Sequence, residues 1–222
     1  MRTAAVIQQL GLLVVMLCAV FVLAADAAPL VVRVSNFSEA GLHGWEEKSF
    51  KGNSRYRLVE GEQGKVLHAT TRGEASGLFK EVDIDLDKTP FLNWSWRVEN
   101  VLSQNDERSK DGDDYPARVY VVVSGGILFW KTRAVNYVWS SNQAAGSHWP
   151  NAFTDHAQML ALRSGTARLG QWVAEKRDVR ADLKKLFGED IQRIDAVALM
   201  VDGDNTGQSA AASFGDIYFS SE

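Results

Sequence analysis

The chain has 222 residues, a net charge of −4 and one cysteine. The acidic balance excludes the basic surplus on which phosphate-backbone binding depends, so nucleic acid is not an expected partner. Cys18 lies inside an apolar run. The residues beyond it hold no thiol for a disulfide or a thiolate metal site, and the fold must rest on an apolar core.

In chain order, residues 1–27 read as a secretory signal peptide. Arg2 supplies the positive start, residues 11–24 are apolar, and Ala25-Asp26-Ala27 offers the small residues that signal peptidase reads. The run is shorter than the roughly 20 apolar residues that span a bilayer. The expected product is one domain, residues 28–222, periplasmic or secreted, with no stable membrane anchor after cleavage. Arg2 and Asp26 cancel, so its net charge also stays at −4.

Beyond the leader, short β-like runs alternate with turn residues. Residues 55–59 and 65–69 flank Gly61-Glu62-Gln63-Gly64 as a hairpin. Along residues 91–98, Leu92, Trp94, Trp96 and Val98 share one face, and Asn93, Ser95 and Arg97 the other. Residues 117–124 put Val119, Val121 and Val123 opposite Arg118, Tyr120 and Val122. Gly125-Gly126 then reads as a two-residue turn into a return strand over 127–130. Further strands are expected at 135–139, 158–162, 172–175, 196–201 and 213–219. One helix is predicted, capped by Asp178, with Val179, Leu183, Leu186 and Phe187 on one face and Gly188 at its end. The pattern is that of an all-β, two-sheet, jelly-roll-like sandwich with one short helix. Two long polar segments interrupt it. Residues 103–114 read as a solvated loop, and residues 140–155 as a loop carrying Trp149 and Phe153.

Four segments taken together resemble a known family. They are Asp114-Tyr115-Pro116-Ala117-Arg118-Val119-Tyr120, Asn136-Tyr137-Val138-Trp139, Glu175-Lys176-Arg177-Asp178-Val179 with Asp182, and Val201-Asp202-Gly203-Asp204-Asn205-Thr206-Gly207. In that order they resemble the bacterial domain of unknown function 3047, from about Phe37 to Phe219. The resemblance implies an exported protein and brings no catalytic residues with it. A looser resemblance, at the level of strand pattern and tryptophan content, is to carbohydrate-binding jelly rolls.

Three sets of residues are candidates for chemistry. Asp202, Asp204 and Thr206 space oxygen side chains like the front half of a calcium loop, and Asp113 in a second acidic turn is the expected fourth ligand of a structural calcium ion. The twelfth position of such a loop is Ser213 rather than glutamate, and an ordinary turn explains the same residues. Arg97, Arg118, Tyr120 and Asn136 are expected to line one polar face able to hold hydroxyls or a carboxylate. The alternative is that both arginines pair with Glu99, Asp202 or similar neighbours. Of the seven tryptophans, Trp45, Trp94 and Trp96 are expected in the core, and Trp130, Trp139 and Trp149 nearer the surface, where indole faces stack on sugar rings. The expected function is a non-catalytic domain that binds a glycan or another envelope component. The alternatives are a carbohydrate-active hydrolase or lyase on the same sandwich, and a structural or protein-interaction domain. No G-x-S-x-G, H-E-x-x-H or phosphate-cradling motif occurs.

Overall fold

The computed structural model describes residues 28–61, 64–127 and 131–222. The expected signal peptide, Trp130 and most of the expected strand at 127–130 lie outside the described residues. Among the described residues, no helix is long and apolar enough to cross a membrane.

The elements in order are β1 (Val31–Arg33), β2 (Glu46–Lys51), β3 (Arg55–Gly61), β4 (Gly64–Arg72), β5 (Ala75–Asp85), β6 (Phe91–Val98) and β7 (Ala117–Val123). There follow β8 (Arg133–Ser140), β9 (His148–Asn151), β10 (Thr154–Ser164), β11 (Val173–Asp178), α1 (Val179–Phe187), β12 (Arg193–Met200), β13 (Ser209–Phe214) and β14 (Tyr218–Ser220). Sheet one runs β1-β14-β6-β13-β4-β3, with β11 on the other side of β6; sheet two runs β2-β5-β12-β7-β8-β10-β9. All pairings are antiparallel except β10 with β8. The two sheets form the predicted sandwich.

Period-two alternation places the core. Trp94 and Trp96 point from sheet one onto Tyr137 and Trp139 of sheet two, with ring centroids 5.5 Å apart for Trp94–Tyr137 and 6.0 Å for Trp96–Trp139. Edge-on and tilted aromatic contacts of this kind add to plain area burial. Trp45 is half-buried at the margin, 5.7 Å from Phe37. The helix is as predicted. The Asp178 carboxylate accepts from the Ala181 amide at 2.9 Å, and Gly188 takes φ +73° to close the last turn.

Four expectations are corrected. β7 returns through β8, with Val123 opposite Arg133, so the connection is longer than a Gly125-Gly126 turn. The expected strand at 213–219 is two strands, because the chain breaks out of the sheet at Gly215, whose amide bonds the Ser95 carbonyl. A Cβ at Gly215 would meet Ser95 Oγ, so a side chain there requires the serine hydroxyl to turn away. The polar segment 140–155 contains β9. Finally, residues 103–114 are a solvated loop only in part. Asn105, Glu107, Asp113 and Asp114 are buried. The Glu107 carboxylate accepts from the Ser140 hydroxyl and the Ser141 amide, and Asn105 donates to the carbonyls of Gly112 and Asp114. The buried Glu107 charge is thus met by protein donors, while Asp106, Arg108, Lys110 and Asp111 stay exposed.

Candidate functional site

The structure separates the residues that the sequence grouped together. Arg97 lies on β6 in sheet one and Arg118 on β7 in sheet two. Alternation does put each on the outer side of its strand, but the sheets face opposite ways, so no shared polar face exists. Arg97 lies beside Glu99, Nε to carboxylate oxygen 3.2 Å. Arg118 is 4 % exposed and grips Asp202 with two nitrogens, one of them at 2.8 Å. Both arginines therefore follow the pairing alternative.

Tyr120 sits two residues along from Arg118 and donates its hydroxyl to Met200 Sδ at 3.2 Å. Asn136 stands opposite Tyr120 on β8 and is buried. Trp139 belongs to the core, its indole nitrogen on the Gly165 carbonyl at 3.1 Å. Trp149 is 3 % exposed and packs in a small second cluster with Tyr115, Val138, Met159 and Ala161. Trp139 and Trp149 offer no open ring to a ligand, which corrects their placement near the surface.

The acidic turns do meet. Asp114, Asp202 and Asp204 each bring one carboxylate oxygen within 4.8 Å of the others. Asp114, not Asp113, completes this triplet, since Asp114 accepts from the amides of Asn205 and Thr206 and so draws the late turn onto itself. Asp113 flanks the group instead. Its backbone carbonyl accepts from Arg118, and one of its carboxylate oxygens takes Asn151 at 2.8 Å. Two buried oxygens, Asp113 Oδ1 and Thr206 Oγ1, have no protein partner. Burial pushes the Asp202 carboxyl above its usual range and Asp114 adds to this, while Arg118 opposes it. Burial alone would lower the Arg118 pKa, but Asp202 and its neighbours carry it well above its ordinary value. Within this ensemble Asp113, Asp114, Arg118 and Asp202 are buried, and Asp204 and Thr206 are half-buried.

An open site lies elsewhere. A groove of about 670 Å³ runs over the outer face of sheet one. Gly215 and Asp216, in the break between β13 and β14, line part of it. Its floor carries Asn93 and Ser95, the outward residues of β6. Trp172, just before β11, is 38 % exposed on one side, and Tyr218 of β14 lies on the other. A second hollow shares Asn93, Lys176 and Tyr218 and extends the groove towards Val31. The Asp216 carboxylate on its border already has donors, and that of Glu175, opposite core-facing Trp94, turns between the sheets. Asp216 takes the Ser38 amide at 3.2 Å and the Ser38 hydroxyl, while Glu175 takes Trp96 Nε1 at 3.1 Å and Arg163 Nε at 2.6 Å. Sequence reading missed Trp172, Tyr218, Asn93 and Ser95 as a set. The outward positions of β6 were readable, but the register that brings Tyr218 opposite Asn93 was not.

The class of protein is thus a two-sheet β-sandwich with a groove on one outer face. The chain belongs to the family described as protein of unknown function, DUF3047, whose pattern matches residues 43–218. No curated protein matches it. Among solved structures it is similar to a family 11 carbohydrate-binding module from Clostridium thermocellum in complex with a mixed-linked tetrasaccharide. The identity is 10 % over 87 % of this chain and 96 % of that one, with a TM-score of 0.45. It is also similar to the family 30 module of a C. thermocellum cellulosomal cellulase, at 10 % identity over 81 % and 92 % of the two chains and a TM-score of 0.47. A third likeness is to the xyloglucanase domain of the Sinorhizobium fredii effector NopAA, at 11 % identity over 80 % and 94 %, TM-score 0.43.

Proposed function

We propose that this protein is an exported, non-catalytic domain that binds a glycan in the groove of sheet one. The observation that carries the reading is Trp172, an exposed indole at the side of an elongated groove with a polar floor. A sugar ring has apolar C–H faces that stack on an aromatic ring, and hydroxyls that need partners such as Asn93 and Ser95. Tyr218 offers a second ring, and the adjoining hollow suits a chain longer than one sugar. Asp216 is held by Ser38, and Glu175 turns between the sheets onto Trp96 and Arg163, so the groove presents no pair of facing carboxylates among the described residues. The test is binding to a broad glycan panel, repeated with Trp172→Ala. Wild type is expected to bind at least one glycan, and the variant to lose about tenfold or more, equivalent to about 1.4 kcal/mol. A panel with no binder, or unchanged affinity in the variant, overturns the reading.

The same reading gives the acidic turn a structural part. Asp114, Asp202 and Asp204, with the unpartnered Thr206 hydroxyl beside them, form an oxygen-only donor set of the kind calcium accepts. A calcium ion there would tie the late turn to the 103–114 loop, far from the groove. Calcium is then expected to raise the melting temperature, a chelator to reverse the rise, and Asp204→Asn to abolish it. Equal melting with calcium and with chelator removes the ion.

A further inference from the structure

We propose that the glycan is acidic, and that its anionic groups are held by a row of basic side chains beside the groove; this deepens the glycan reading above and rests on it. The row crosses four adjacent strands of sheet one. Arg57 of β3 stands directly opposite His68 of β4, His68 opposite Ser213 of β13, and Ser213 opposite Arg97 of β6. At about 4.8 Å per strand, Arg57 and Arg97 bracket roughly 14 Å of sheet surface. All four point outward, because Leu67, Phe214 and Trp96, each next to one of them in the chain, point into the core.

The row adjoins the groove on two strands at once. Ser95 lines the groove, and Arg97 is the next outward residue of β6. Val66 lines it too, and His68 is the next outward residue of β4. Two residues along a strand is about 7 Å, within the length of one or two sugar units. Trp172 lies at the same end, since Val173 pairs with Trp96.

Arg57 opposes His68, and no salt bridge engages Arg57 among the described residues. The His68 imidazole is 3.0 Å from the Ser213 hydroxyl through Nδ1. Burial and then Arg57 hold its pKa below the ordinary value, with Glu99 opposing. A carboxylate or sulfate lying along the row would accept from Arg57, Ser213 and Arg97. Glu99 pairs with Arg97 and competes for it.

The experiment measures binding of a polyuronate, a sulfated polysaccharide, an uncharged glucan and single-stranded DNA at two salt concentrations. Wild type is expected to prefer one acidic polysaccharide over the glucan by at least about tenfold, with weaker binding at high salt. Arg57→Ala, at an exposed position, is expected to lower that affinity severalfold while melting as wild type does. Glu99→Gln, which releases Arg97, is expected to raise it. Preference for the glucan, with Trp172→Ala still defective, overturns the acidic ligand and leaves the groove standing. Binding to none of the glycans overturns both readings. DNA binding as tight as that of the acidic polysaccharide, or an Arg57→Ala variant that binds like wild type, overturns the row.

Discussion

Replacing Arg118 with methionine is expected to destabilise the domain by about 3–5 kcal/mol, the range found when one member of a buried ion pair is removed. The cost does not come from the lost attraction alone. Arg118 is enclosed with Asp202, which is 1 % exposed, and with Asp113, whose carboxylate lies 3.7 Å from Nη1. Its guanidinium also stacks 4.3 Å from the Tyr115 ring centroid. Methionine fills much of the volume but leaves the carboxylates facing one another without a cation. Asp202 must then take up a proton or the loop must open to water. The double variant Arg118→Met with Asp202→Asn removes the stranded charge and is expected to recover more than half of the loss. Urea unfolding of the three proteins measures both numbers. A single variant within 1 kcal/mol of wild type would show that water reaches this cluster freely, and the account of its enclosure would fail. Glycan binding by any of these variants, measured below its melting transition, is expected to match wild type, because the groove lies on the opposite sheet.

Local rules made much of the fold legible. The alternation in residues 91–98 states which way Trp94 and Trp96 face, and Asp178 and Gly188 mark the two ends of the helix because capping is a short-range interaction. Membership of a particular sheet is not a local property. Arg97 and Arg118 have the same kind of flanking pattern, yet β6 and β7 diverge into different layers, and only the strand order reveals it. The acidic turns show a finer version of the same limit. Asp113 and Asp114 are neighbours of identical chemistry, and the one that joins Asp202 and Asp204 is decided by which carboxylate reaches the amides of Asn205 and Thr206. The charged run 103–114 misled for a related reason. Its charges find donors on Ser140, Ser141 and Asn151, which lie more than thirty residues away. The groove was the least readable feature, since its lining comes from β4, β6, β11 and β14 and from a break inside an expected strand.

Trp149 decides between a ligand platform and a structural anchor. Truncating it to alanine is expected to cost about 3–5 kcal/mol, as for other buried tryptophans, and to leave glycan binding intact at temperatures where the variant is folded. The indole fills the space between Tyr115, Val138, Met159 and Ala161 on the outer side of sheet two, and its Nε1 donates to the Glu107 carbonyl at 3.3 Å. Arg108 covers the ring from the loop side, 5.4 Å from its centroid. The ring thus pins residues 103–114 to β9, and with them the carboxylates that surround Arg118. Its loss opens a cavity and removes one of two donors to the Glu107 carbonyl, the other being the Tyr115 hydroxyl. Hydrogen exchange should therefore accelerate first at residues 103–114, ahead of any change in sheet one. If Trp149→Ala instead melts like wild type and binds glycan poorly, the ring faces a ligand after all. The binding face would then be sheet two, and Trp172 would be an ordinary surface tryptophan.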